Sequence, residues 1–180
     1  NKIAYHLPAM GGLTVGASFA DSGAVGSTDT TAFGFNYKMD AGGTAVTLGG
    51  ASATTEATTT DKDMQNLGVK IVSGNLTFIA SQSSEEAADE DISNTGAAIS
   101  YKMANGMVLV AHTMKSEDDL DAGEEYTKSG VELQYVVAAG LTAVINVDDY
   151  EYTAATTPNA TGTSTSDSGT ASKLTIKASF

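Results

Sequence analysis

The chain has 180 residues, 22 acidic against nine basic side chains, a formal charge of −13 and no cysteine or tryptophan. That balance excludes a phosphate-neutralising nucleic-acid binder, and the lack of cysteine excludes a disulfide framework. No apolar run approaches the roughly 18 residues of a transmembrane helix. A membrane β-barrel has no such run, because its strands alternate lipid-facing and lumen-facing residues, which keeps mean hydropathy near zero, as here.

In chain order, period-two alternation places strands over residues 2–7, 13–20, 31–39, 44–53, 64–72, 76–83, 94–103, 107–115, 127–137, 141–150 and 172–180. The unit repeats about every 30 residues: strand, tight turn, strand, long polar segment. Short turns fall at Met10-Gly11-Gly12, Ala41-Gly42-Gly43, Ser73-Gly74-Asn75, Ala104-Asn105-Gly106 and Ala138-Ala139-Gly140, where Gly and Asn supply the positive φ of tight hairpins. Longer polar segments occupy 54–62, 85–91, 117–125 and 153–169. The expectation is a strict alternation of short and long connections, with one set at each end of a barrel.

The alternation assigns two faces. One carries Leu13, Val15, Ala17 and Phe19, then Phe33, Phe35, Tyr37 and Met39, and continues through Leu67, Val69, Ile71, Ala97, Ile99 and Tyr101 to Leu133, Tyr135, Ala143 and Ile145. The other carries Thr14, Gly16, Ser18, Asn36, Lys38, Gly68, Lys70, Ser100, Lys102, Glu132, Gln134, Thr142, Asn146 and Asp148. The outward face of a soluble sheet would be mostly charged. This one is rich in Gly, Ser, Thr and Asn, which suits a crowded, water-filled lumen.

Tyr5, Tyr37, Tyr101 and Tyr135 each stand two residues before the last apolar residue preceding a short turn, so they form one ring at one depth on the apolar face. Tyrosine favours that depth because its ring is apolar while its hydroxyl reaches headgroup water. Phe180 falls at the same end, and Phe19, Phe33, Tyr126 and Tyr150 form a looser second belt near the long segments. In the last strand, Leu174, Ile176, Ala178 and Phe180 point one way, and Lys173, Thr175, Lys177 and Ser179 the other.

An amphipathic strand closing on phenylalanine resembles the C-terminal strand of bacterial outer-membrane β-barrels. Together with Leu13-Thr14-Val15-Gly16-Ala17-Ser18-Phe19 and Gly34-Phe35-Asn36-Tyr37-Lys38-Met39, the chain resembles the general porins of Gram-negative bacteria, most of all their sixteen-stranded trimeric type. The resemblance implies an all-β, antiparallel transmembrane β-barrel. It also implies a passive channel for small hydrophilic solutes and ions, without cofactor or enzymatic activity. The implied surroundings are outer-membrane lipid and lipopolysaccharide in a homotrimer. About eleven strands are visible, and an antiparallel barrel with both ends in the periplasm needs an even number. The expectation is therefore one barrel domain over residues 1–180, incomplete at its N-terminus and matching the sixth to sixteenth strands of such a porin. The alternatives are a complete small barrel anchor and a surface-exposed structural or adhesin β-protein without a channel. The porin reading requires a wall wetted by lipid on one face and by water on the other, with no open edge.

The residues that bear on chemistry are charged. Lys38, Lys70 and Lys102 recur at spacings of 32, with Lys2, Lys173 and Lys177 on the same face. As a basic strip they would line the pore wall and orient solutes, with Asn36, Glu132, Gln134, Asn146 and Asp148 as further lining candidates. Lys38 and Lys102 lie beside turns, where they also suit the periplasmic mouth; Lys70 and Lys173 are the stronger wall candidates. Acidic residues gather in the segments around 85–91 and 117–125, which suits solvated loops or divalent cations bridging to lipopolysaccharide. Asp119 and Asp121 match a calcium loop only weakly, since the third acidic position and the spaced glutamate are absent. His6 and His112 stand far apart and form no ligand cluster.

Overall fold

The computed structural model describes residues 2–21, 29–56, 60–88, 90–120, 124–154 and 166–178. Among the described residues, eleven strands form one antiparallel sheet in which each strand pairs only with its neighbours in sequence. They are β1 (Lys2–His6), β2 (Leu13–Ala20), β3 (Thr30–Ala41), β4 (Thr44–Thr55), β5 (Lys62–Ser73) and β6 (Leu76–Ala87), followed by β7 (Glu90–Lys102), β8 (Val108–Asp118), β9 (Glu124–Ala138), β10 (Leu141–Thr153) and β11 (Asp167–Ala178). At the tight turn between β3 and β4, Gly42 and Gly43 take φ of 64° and 87°, the left-handed region where a side chain is strained. The Gly43 amide also donates to Asp40 Oδ1 at 3.1 Å.

The register keeps the two faces separate from β1 to β11, apart from a one-residue shift at the turn end of the β9–β10 ladder, between Leu141 and Thr142. Leu13 lies opposite Tyr37, Tyr37 opposite Leu48, and Leu48 opposite Val69. On the far side, Leu109 faces Leu133, Leu133 faces Ile145, and Ile145 faces Leu174. None of the described residues covers this apolar face: Ile145 is 49% exposed, Ile176 58% and Leu174 67%. Val144 is the only buried hydrophobic side chain among the described residues. A layer so exposed is stable only where its surroundings are themselves apolar.

Tyr5, Tyr37, Tyr101 and Tyr135 all stand on the uncovered apolar face, paired with Ala17, Leu13, Leu76 and Ala143 respectively. The second belt needs correction. Phe19 and Phe33 share the apolar face, but Tyr126 lies opposite Ser116 and Tyr150 opposite Lys128, on the polar side. The period of two already placed these even-numbered residues there, since Val131 and Val147 mark the apolar parity of their strands. Phe180 lies outside the described residues.

The strict alternation of connection lengths also needs correction. β6 runs to Ala87 and β7 starts at Glu90, so the acidic segment around 85–91 is mostly paired strand joined by a tight connection. β9 likewise begins at Glu124 and β11 at Asp167, both earlier than expected. Hydropathy alternation fades where both faces are wet, but the hydrogen-bond ladder continues. Polarity therefore marked where the apolar band stops, not where the strand does. The expected wall without an open edge is not closed by these strands: among the described residues β1 and β11 touch only β2 and β10. With eleven antiparallel strands, the first and last run in the same direction and cannot complete an antiparallel ladder.

Candidate functional site: the polar face of the wall

Across β2 to β8 the polar face has a low floor. Asn36, Gly49, Gly68, Ser81, Gly96 and Met114 follow one another in direct register from β3 to β8. Small side chains leave space above the backbone, and a groove runs over Gly49, Gly68 and Ser81 beside Asn36 and Lys70. Lys38 lies opposite Thr47, and Thr47 opposite Lys70, so the two lysines share one row two strands apart. Lys102 stands opposite Val108 on the same face.

From β8 to β11 the face carries charge instead. His112, Gly130 and Asp148 occupy one row across β8, β9 and β10. Because Gly130 has no side chain, the Asp148 carboxylate lies over the middle strand. A Cβ at Gly130 would overlap Asp148 Oδ1 and come within 2.6 Å of the Val147 carbonyl oxygen. That space lets Asp148 reach across to His112, with Nε2 to Oδ1 at 2.9 Å. Lys128, two residues before Gly130 on the same face, closes on the other oxygen with Nζ to Oδ2 at 2.7 Å. Asp148 is only 7% exposed, the one buried charged residue among those described. Two partners on two strands are what allow a carboxylate to stand there.

Glu132 and Gln134 follow along β9, the Gln134 amide donating to Glu132 Oε1 at 2.6 Å. Asn146 lies opposite both Glu132 and Lys173, and Thr142 opposite Lys177, so the two β11 lysines share the polar face. Further along, toward the ends away from the tight turns, Tyr126 and Tyr152 are direct cross-strand partners and Tyr150 is two residues from Tyr152. The Tyr152 hydroxyl donates to Glu124 Oε1 at 2.9 Å and that of Tyr150 to Asp167 Oδ2 at 3.3 Å.

Beyond the apolar band the wall is laced by exposed ion pairs. Lys62 pairs with Glu85, which raises the lysine pKa and lowers the glutamate's through their shared hydrogen bond. Lys115 bridges Glu117 and Glu125 at 2.8 and 2.9 Å, and those hydrogen bonds raise its pKa. Asp119 donates its backbone amide to the Asp91 carbonyl at 2.8 Å, and Asp121 lies outside the described residues. Among the described residues no three His, Asp or Glu converge as a metal site.

All ten pore-lining candidates thus share one face, but three points escaped the sequence reading. Lys128 was missed. His112, taken as isolated, is bonded to Asp148. Tyr126 and Tyr150 were assigned to the wrong side, and Tyr152 beside them was not singled out. Gly130 was the available signal, since a glycine in mid-strand marks a place where a neighbour leans in.

A sequence model described as Gram-negative porin matches residues 1–156. No curated protein matches the sequence significantly. Among solved structures, OccAB4 of Acinetobacter baumannii superposes with a TM-score of 0.73 at 13% identity, over 99% of this chain and 52% of that one. A porin refined at 1.8 Å superposes at 0.66 and 18% identity, over 99% and 60%. OmpT of Vibrio cholerae in its trimer form gives 0.58 and 14%, over 97% and 64%. The chain spans about half the length of the Acinetobacter porins it matches.

Proposed function

The chain belongs to the Gram-negative porin family, outer-membrane β-barrels, and we propose that it forms part of the wall of a water-filled channel for passive diffusion of small hydrophilic solutes and ions. The observation that carries this is the pairing of an uncovered apolar face with a reverse face of Gly, Ser, Asn and buried charge. One surface suits acyl chains and the other suits water, in a layer one strand thick. The mechanism is diffusion past fixed charges, with no bond made or broken and no cofactor.

Lys70, Lys38, Lys173, Lys177 and Lys102 act as the cationic part of the lining. Asn36, Glu132, Gln134 and Asn146 supply its hydrogen-bonding groups, and Asp148 is held neutralised within it. The girdle of Tyr5, Tyr37, Tyr101 and Tyr135, with Phe180, anchors the wall at the headgroup level. Further strands beyond these eleven complete the barrel. In support, the wall superposes at 0.73 on about half of OccAB4 but at only 0.51 on nearly all of the shorter KdgM porin, as a segment of a larger barrel should. The functional unit is a homotrimer, a reading supported by the trimer form of Vibrio cholerae OmpT. Its outer rim contacts lipopolysaccharide, with divalent cations bridging to the acidic residues there.

The test is planar-bilayer recording on the natural full-length protein, after heat-modifiable gel migration has verified folding. A stable ohmic conductance of the size expected for an aqueous bore supports the channel. A folded but silent barrel would leave the anchor reading in its place.

A further inference from the structure

Three tyrosines side by side on the wetted face, beside the charged rows of β8 to β10, call for a reason. Tyr126 and Tyr152 are direct cross-strand partners, and Tyr150 shares their face two residues away. They are half-buried, and the Tyr150 ring rests over Gly169 of β11, where a Cβ would come within 3.3 Å of Cε1 and 3.4 Å of Cζ. A side chain at Gly169 would crowd that ring. Two of the hydroxyls donate to carboxylates, Tyr152 to Glu124 at 2.9 Å and Tyr150 to Asp167 at 3.3 Å.

A phenol that donates to an anion gains electron density in its ring, which strengthens the negative face that attracts cations. The carboxylates add direct Coulomb attraction. The nearby cation, Lys128, is opposed by its 2.7 Å ion pair to Asp148 and does not cancel that field. Metal ions and ammonium would be served by the carboxylates alone. A cluster of electron-rich rings suits a cation whose charge is wrapped in methyl or methylene groups, because such an ion sheds water cheaply and presents apolar surface to the rings.

We propose that Tyr126, Tyr150 and Tyr152, with Glu124 and Asp167, form a binding subsite for small organic cations of the alkylammonium class, at the end of the pore away from the tight turns. The site rests on the reading of the polar face as a wetted lumen, but binding there does not require ion flow.

Saturation-transfer NMR on the full-length protein folded in detergent provides the test, with choline as probe and its uncharged carbon isostere 3,3-dimethylbutan-1-ol as comparison. Choline should show saturable transfer that the isostere lacks and that excess sodium at equal ionic strength does not selectively displace. The Tyr126→Leu and Tyr152→Leu variants should each weaken it about two- to five-fold, the effect of losing one partly exposed cation–ring contact. The Tyr126→Phe/Tyr152→Phe double variant keeps the rings and should retain most of the binding, which guards against loss through misfolding. Equal displacement by sodium, equal binding of the isostere, or no loss in the leucine variants would overturn the subsite. A conducting channel without choline binding refutes the subsite alone. Choline binding to a silent barrel refutes the channel and leaves the subsite standing.

Discussion

Asp148 offers the sharpest test of how this wall tolerates charge. Its side chain is 9% exposed, whereas those of Lys128 and His112 are 30% and 24% exposed. Substituting Asp148→Ala removes the buried charge itself and leaves two partners that already reach water. The loss is two hydrogen bonds to a charged group, partly offset by the desolvation no longer suffered, so the expected cost is about 1–2 kcal/mol. Removing both partners in Lys128→Ala/His112→Ala does the opposite, leaving a buried carboxylate with neither. In a globular core that costs roughly 3–5 kcal/mol. Here the wall is one layer thick and water is near, so the lower end, about 3 kcal/mol, is expected. The measurement is equilibrium unfolding in guanidinium of the full-length protein folded into lipid vesicles, followed by far-ultraviolet circular dichroism and gel mobility. If the double variant is no less stable than Asp148→Ala, the burial of Asp148 is not what governs the cluster.

Other consequences can be checked singly. Gly130→Ala puts a methyl group against the Val147 carbonyl and the Asp148 carboxylate, so it should cost about 1–3 kcal/mol in the same unfolding assay. Ile145→Arg faces the uncovered side and should cost about 2–4 kcal/mol, while Asn146→Arg, one residue on, should stay within about 1 kcal/mol. Equal costs for the two would contradict the assignment of faces. Gly42→Val forces a branched residue to a φ of 64° and should destabilise the β3–β4 hairpin by about 1–2 kcal/mol, seen as slower folding into vesicles. Lys70→Glu with Lys173→Glu should move the zero-current potential in a salt gradient toward cation preference. An unchanged potential would remove both lysines from the lining.

The sequence by itself determined what depends on neighbours along the chain: strand positions, tight-turn sites and the face each side chain takes. These are local because the strand period of two and the positive φ of Gly-bearing turns need no partner. The eleven strands, the Tyr5–Tyr37–Tyr101–Tyr135 face and the shared face of Lys70, Lys173 and Asn146 were all legible in that way. Where Tyr126 and Tyr150 were misplaced, the alternation had the answer and proximity to long segments outweighed it. Only the tertiary structure decided what depends on register between strands. His112 and Asp148 are 36 residues apart and meet because Gly130 stands between them in one row. No property of either residue alone reports that coincidence. Strand length beyond the apolar band was hidden for a related reason: backbone pairing continues where side chains on both faces meet water, and hydropathy carries no trace of it.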